Sequence, residues 1–325
     1  MFQRFCTLAL NTFFETIRQP IYGVILVATA ALLILNVSLA AFTLTDDDKL
    51  LLDLGLSTLL MSGLFLSAFS AATVLSREIE SKTVLTVISK PVSRPVFLLG
   101  KYAGLVAALT VAFYLSFLIF ALAQRHGVLQ TSADPWDAPV LVFGFGAVAV
   151  AFAMAAFCNY FYGMTFSTTV VGFSTLLLTI ATLCAAKFNE KFEIIEFWSD
   201  FISWQVVIAA YLVFLALLVV AAVALAASTR FGQLMTLVIC TSVLGLGIVS
   251  DYAFGQHEQT STAAAIAYRA VPNVGPFWVI DGLTSGSEET NVPPRYVLFT
   301  TIYAVLIAVG ILNIGIFAFQ KREVG

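Results

Sequence analysis

The residues best placed for chemistry stand in one polar stretch, Ser76–Pro95, which reads SREIESKTVLTVISKPVSRP. Glu78 and Lys82 are four apart, in the favourable order for a helix-surface ion pair worth a few tenths of a kcal/mol. Ile79, Val84, Val87 and Ile88 gather toward one side of the same helix. Pro91 ends it near Lys90, and Ser93 and Pro95 suit the N-cap and first turn of a following helix. On its own the pattern reads as a short amphipathic helix tied to a membrane helix at each end, which suits an ordinary interfacial connector with a basic charge cluster as well as a docking element. Catalytic signals are sparse elsewhere. No GxxxxGK[ST] loop occurs, because Pro95 stands where Gly100-Lys101 would need its first glycine, so ATP cannot be bound by that route. No HExxH occurs, and His126 and His257 are isolated and read as surface histidines. Cys6, Cys158, Cys184 and Cys240 form no CxxC pair and read as small buried hydrophobes, with no disulfide framework or zinc site. No metal, cofactor or catalytic residue is expected on the chain.

The elements that must position this stretch are membrane helices. The chain has 325 residues, 60% hydrophobic and 11% charged, against roughly 45–50% apolar and 25% charged in soluble domains. Most of that apolar surface must face lipid. Spans of roughly 20 apolar residues are expected at Ile21–Leu44, Leu54–Leu75, Val96–Leu122, Pro139–Cys158, Gly163–Ala185, Gln205–Ala227, Phe231–Val249 and Tyr296–Phe319. The fourth and fifth, and the sixth and seventh, are so closely spaced that each pair is either a tight hairpin or one long broken helix. The expected fold is therefore an all-α polytopic transmembrane bundle of about eight spans, or six. Before Pro20, apolar Phe2, Phe5, Cys6, Ala9, Phe13 and Ile17 recur at helical spacing opposite polar residues, with Leu8 out of phase. Residues 1–20 thus read as an interfacial amphipathic helix with no cleavable leader.

Basic residues set the orientation. With the N-terminus in the cytoplasm, Arg4, Arg18, Arg77, Lys82, Lys90, Arg94, Lys101, Arg230, Lys321 and Arg322 lie inside, most of the 16 Lys and Arg. Both termini are then cytoplasmic. Trp136, Trp198, Trp204 and Trp278 fall in outer loops or at span edges, where aromatic belts form. The spans carry no ionisable residue near mid-membrane, and Lys101 is expected to snorkel at a cytoplasmic edge. Proton-coupled carriers usually bury such groups, so the energy source is expected outside this domain and the path is expected to be apolar or lipid-like. The GxxxG of Gly100–Gly104 reads as simple close packing. The net charge of −3 gives no reason to expect nucleic acid.

Two outer segments complete the layout. In Lys187–Ser203, the residues Asn189, Glu193, Glu196 and Asp200 recur at helical spacing as a polar stripe. This predicts an outer amphipathic helix over 187–203, either a solvated surface element or an acidic ledge for a cationic or amphiphilic substrate. Residues 255–295 are too long for a bare loop. There Ser261–Ala270 suggests a short helix and Pro272, Asn273, Gly275 and Pro276 a turn.

Arg77-Glu78-Ile79-Glu80, Lys82-Thr83-Val84, Ser89 through Arg94, Leu99-Gly100-Lys101-Tyr102 and the basic ending Gln320-Lys321-Arg322 together resemble the type-2 ABC exporter permease family. The resemblance implies that 76–95 is a coupling helix docking on a separate P-loop ATP-binding subunit. Its contact residues would be Arg77, Glu78, Glu80, Lys82, Val84, Val87, Lys90 and Arg94. It also implies ATP-Mg on that partner, a second permease copy or sister permease, and a multi-pass position in the inner (cytoplasmic) membrane. The chain itself would be a non-catalytic transport subunit. Its eight spans exceed the six usual in the family. Two other readings are a non-transporting anchor that recruits a soluble complex through the same helix, and a membrane enzyme acting on lipids, for which no histidine–carboxylate motif is present.

Overall fold

The computed structural model describes residues 2–42, 47–80, 93–129, 135–199, 201–257, 261–280 and 291–320. It is all-α, and among the described residues the only strand-like pairing is an isolated bridge between Phe188 and Ile194. The helices are α1 (Phe2–Ile17), α2 (Pro20–Ala40), α3 (Asp47–Glu80), α4 (Arg94–His126), α5 (Ala138–Tyr162), α6 (Phe166–Ala185), α7 (Trp204–Ser228), α8 (Gln233–Ala253), α9 (Thr262–Ala270) and α10 (Pro294–Gln320). Eight of them, all but α1 and α9, are long and apolar enough to cross a membrane. Their lengths follow from the bilayer, since only a continuous helix satisfies its own backbone donors and acceptors without water.

The two closely spaced pairs are separate helices. Gly163 ends α5 in the left-handed conformation, φ +64°, and its N–H donates back to the Asn159 carbonyl. Glycine adopts this geometry without a Cβ penalty. Asn159 Nδ2 closes the same turn by donating to the Met164 carbonyl at 2.6 Å, and α6 packs against α5. Between α7 and α8, Ser228 and Thr229 hydroxyls donate to the Leu225 and Ala226 carbonyls, and Thr236 N–H restarts the helix on the Gly232 carbonyl.

Burial divides the spans by role. About 72% of the apolar window of α7 is inside the protein, with 67% for α3 and 56% for α4, against 17% for α5 and 22% for α2. α3, α4 and α7 are therefore packed mainly by protein, whereas α2 and α5 turn most of their apolar side chains outward. The chain forms two compact units: Met1–Thr16, Gly63–Leu109 and Tyr211–Gly325 make the first, and Ile17–Ser62 with Thr110–Ala210 the second.

The second unit is stapled by a buried ion pair. Arg125, near the end of α4, places Nε 2.9 Å from Asp137 Oδ2, and the two side chains are only 3% and 4% exposed. Asp137 Oδ1 also caps α5 by accepting from Val140 N–H at 3.0 Å. Nη1 donates to the carbonyl of Ala185, the last residue of α6, Nη2 donates to the Phe188 carbonyl three residues on, and the Phe201 ring lies 5.7 Å from the guanidinium carbon. One arginine thus ties the ends of α4 and α6 to the start of α5. Burying two charges is tolerated only when hydrogen bonds satisfy both, and here they do.

Among its described residues, the segment 187–203 is not the amphipathic helix that its spacing predicts. It forms turns, in which the Asn189 side-chain oxygen accepts from the Lys191 and Glu193 N–H groups and its Nδ2 donates to the Glu193 carboxylate at 2.8 Å. Asparagine offers the backbone an alternative to helix in this way. Phe192 and Trp198 have φ of +62° and +74°, which a right-handed helix excludes. Phe188 and Phe192 instead pack on Phe143 of α5. Of the supposed stripe, Asn189 and Glu193 meet across this turn, Glu196 sits in a separate bend, and Asp200 lies outside the described residues. In the 255–295 region the expected short helix is present as α9, N-capped by Ser261, whose hydroxyl accepts from Ala264 N–H. A 3-10 turn at Gly275–Phe277 follows, and Asn273 Nδ2 donates to Asp251 at 2.7 Å.

Asp137→Ala is expected to destabilise the folded protein by about 3–5 kcal/mol, because it leaves the Arg125 charge buried. Asp137→Asn, which keeps a capping oxygen, should cost less. Chemical unfolding in mild detergent measures both, and equal, near-zero costs would remove the staple from this account.

Candidate functional site

The site marked out by the sequence is the polar segment between α3 and α4. Lys82, Val84, Val87 and Lys90 lie outside the described residues, so the helix expected there does too. Arg77, Glu78 and Glu80 occupy the last turns of α3, and Arg94 opens α4. The Ser93 carbonyl accepts from Phe97 N–H at 3.1 Å, which places Ser93 at the N-cap position with Pro95 in the first turn, as the residue types suggested. The basic tail expected at Lys321 and Arg322 also falls outside the described residues.

What the structure does describe is the frame around this segment, all of it within the first unit. α1 docks on α4 through the GxxxG glycines. A Cβ on Gly104 would stand 2.3 Å from the Ala9 carbonyl oxygen and 2.6 Å from Thr12 Cβ, and one on Gly100 would stand 3.0 Å from Leu8 Cβ. Small residues let helix backbones approach this closely. The close packing expected of GxxxG is therefore contact between α1 and α4. It also explains Leu8, which breaks the apolar phase of α1 because it belongs to the side that meets α4. Phe2, Leu10 and Phe14 are exposed.

Lys101 does not snorkel. It is 2% exposed, with Nζ 3.7 Å from Glu15 Oε2 of α1 and 5.7 Å from the centre of the Phe97 ring. The pair joins α1 to α4 about two helical turns beyond the start of α4. Glu15 is 29% exposed, so solvent screens part of this attraction.

Further ties reach the other helices of the unit. Tyr102 Oη donates to the Leu218 carbonyl of α7 at 3.0 Å. Phe97 stacks on Phe319 of α10, ring centres 5.8 Å apart. Arg230, in the turn between α7 and α8, donates to the Ala318 carbonyl at 2.7 Å, and Gln233 of α8 donates to Thr73 of α3 at 3.2 Å. Both helices that flank the segment are therefore bonded into one body with α1, α7, α8 and α10. None of these contacts brings together a nucleophile, a base and an acid, and their chemistry is mechanical.

Gly104→Ala tests this docking. The backbone oxygen of Ala9 cannot yield cheaply, so the substitution should cost about 1–3 kcal/mol. Gly146→Ala, whose Cβ meets nothing within 4 Å, should leave stability unchanged or slightly raised. Paired thermal-denaturation curves decide it, and equal behaviour of the two variants would contradict close packing at Gly104.

Compared with known proteins, residues 15–160 match the sequence model of the ABC-2 family transporter protein. The match begins at Glu15 and runs through α2, α3, α4 and most of α5, so it includes the polar segment and the Glu15–Lys101 pair. No curated protein and no solved structure matches the chain.

Proposed function

We propose that this multi-pass membrane protein is the permease subunit of an ATP-driven exporter, a reading supported by the match of residues 15–160 to the ABC-2 family transporter protein. A separate P-loop subunit binds and hydrolyses ATP-Mg. It docks on the cytoplasmic segment between α3 and α4, against Arg77, Glu78, Glu80, Lys82, Val84, Val87, Lys90 and Arg94. Both termini lie in the cytoplasm, the membrane is the inner membrane, and a second copy or a sister permease completes the pathway.

The observation that carries this reading is the frame around the segment. A push on residues 81–92 is delivered to α3 and α4, and the Glu15–Lys101 pair, the Tyr102 bond to α7 and the Phe97–Phe319 stack spread it over the first unit. A device that turns ATP-driven closure into helix movement requires such ties. A flexible tether for a recruited complex would not.

The test is co-purification from native membranes in mild detergent, with ATP hydrolysis assayed on the recovered complex. A stoichiometric P-loop ATPase is expected. Glu78→Lys with Glu80→Lys should lower its recovery at least about tenfold, since like-charge juxtaposition at an interface costs more than the 1.4 kcal/mol this represents, with membrane insertion unchanged. An ATPase retained in full by the double variant would refute the docking contact. Recovery of a soluble complex without ATPase activity would favour the anchor.

A further inference from the structure

One face of α10, in the first unit, is left uncovered by the rest of the chain. Phe299, Ile302, Leu306, Gly310, Asn313 and Phe317 follow one another at steps of three and four, and all six are exposed. Such a line is a single seam on a helix. Between Tyr296 and Phe319 there is no Asp, Glu, Lys, Arg or His, so the seam is apolar except at Asn313.

Asn313 is out of place in hydrocarbon. α10 has 27 residues, about 40 Å of helix against about 30 Å of membrane core. Asn313 lies about 10 Å in from its C-terminal end. Its Nδ2 donates to the Val309 carbonyl at 2.8 Å, which turns the amide away from that end and toward the middle of the span. A threonine in a span can satisfy its one donor on its own helix, as Thr29, Thr175 and Thr301 do. An amide has two donors and an acceptor, and this one uses a single donor among the described residues. Asn36, inside α2, shows the ordinary solution: it is 4% exposed and donates to Thr58 of α3. Gly310 lies beside Asn313 on the seam, and a Cβ there would meet nothing within 4 Å. Another backbone can approach closely at that point.

We propose that this seam is the contact between two copies of the chain, α10 against α10, with the Asn313 amides paired across a two-fold axis. The occupant follows from the chemistry. A carboxamide is its own complement, since each Oδ1 accepts from the other Nδ2. Copies inserted the same way carry their Asn313 at the same depth, and a two-fold axis makes both bonds at once. Polar side chains and small residues are what hold membrane helices together, because lipid and leucine are equally apolar. A single amide on an apolar seam also fixes register. The inference deepens the proposed function, in which a second copy or a sister permease completes the pathway, by choosing the copy and naming its face.

The experiment is disulfide cross-linking in native membranes of the full-length chain with its native cysteines replaced. Leu306→Cys and Phe317→Cys are expected to give cross-linked dimers of the chain. Val24→Cys in α2 and Phe152→Cys in α5, also exposed, are expected to give few. Dimerisation is then measured by energy transfer between labelled copies in liposomes of increasing lipid content. Asn313→Leu should raise the dissociation constant about tenfold, and Gly310→Leu should act alike. Asn313→Gln keeps an amide and should retain most of the affinity. Both positions face away from the chain's own core, so these variants leave its fold intact. Cross-linking no stronger on the seam than at Val24 and Phe152, an unchanged constant in Asn313→Leu, or seam cross-links to a different protein would each overturn the inference. ATPase recovery from the same membranes separates the two readings. An ATPase without the α10 cross-link would refute this contact and leave the transporter standing, and the cross-link without an ATPase would do the reverse.

Discussion

An interior without water is the constraint on which the rest of this structure depends. Every backbone donor and acceptor in the spans must be satisfied inside its own helix, which sets their lengths. Every charge that enters the protein must bring its partners. Arg125 brings one carboxylate, two backbone carbonyls and an aromatic face. Lys101 brings Glu15 and Phe97. Each of these cations ends up cross-linking helices that apolar packing alone would hold less specifically.

The two cations serve different ends of the account. Lys101 joins α1 to α4, the helix that follows the segment placed in the cytoplasm by the proposed orientation. Arg125 ties the ends of α4 and α6 to the start of α5 in the second unit. The ABC-2 family match runs through both cations.

The spans were legible because about twenty apolar residues between polar breaks allow little else, and all eight expected segments are helices. Whether residues 159–165 turn or continue depended on Gly163 adopting φ +64°, which the composition permitted and did not require. The segment 187–203 misled because polar residues at steps of three and four fit a helix face and a set of Asx-stabilised turns equally well. The Asn189 hydrogen bonds and the pull of Phe143 on Phe188 and Phe192 decided for turns. The Arg125 site was not legible at all, since its carbonyl partners lie 60 and 63 residues away and carry no side-chain signal. The burial of Lys101 was hidden in the same way. Its partner, Glu15, reads as the polar face of an interfacial helix until GxxxG brings α1 onto α4.

The central claim is that the first unit moves as one body when the segment between α3 and α4 is pushed. Electron–electron resonance distances between spin labels at Ser93→Cys and Phe231→Cys, in a chain with its native cysteines replaced, test it directly in the assembled complex. The internal distance should be the same in the nucleotide-free and ATP-trapped states, while the Ser93 label-to-label distance between two permease copies changes. An internal distance that shifts with nucleotide would contradict the account, because the ties of Lys101, Tyr102 and Phe97 would then not transmit the push.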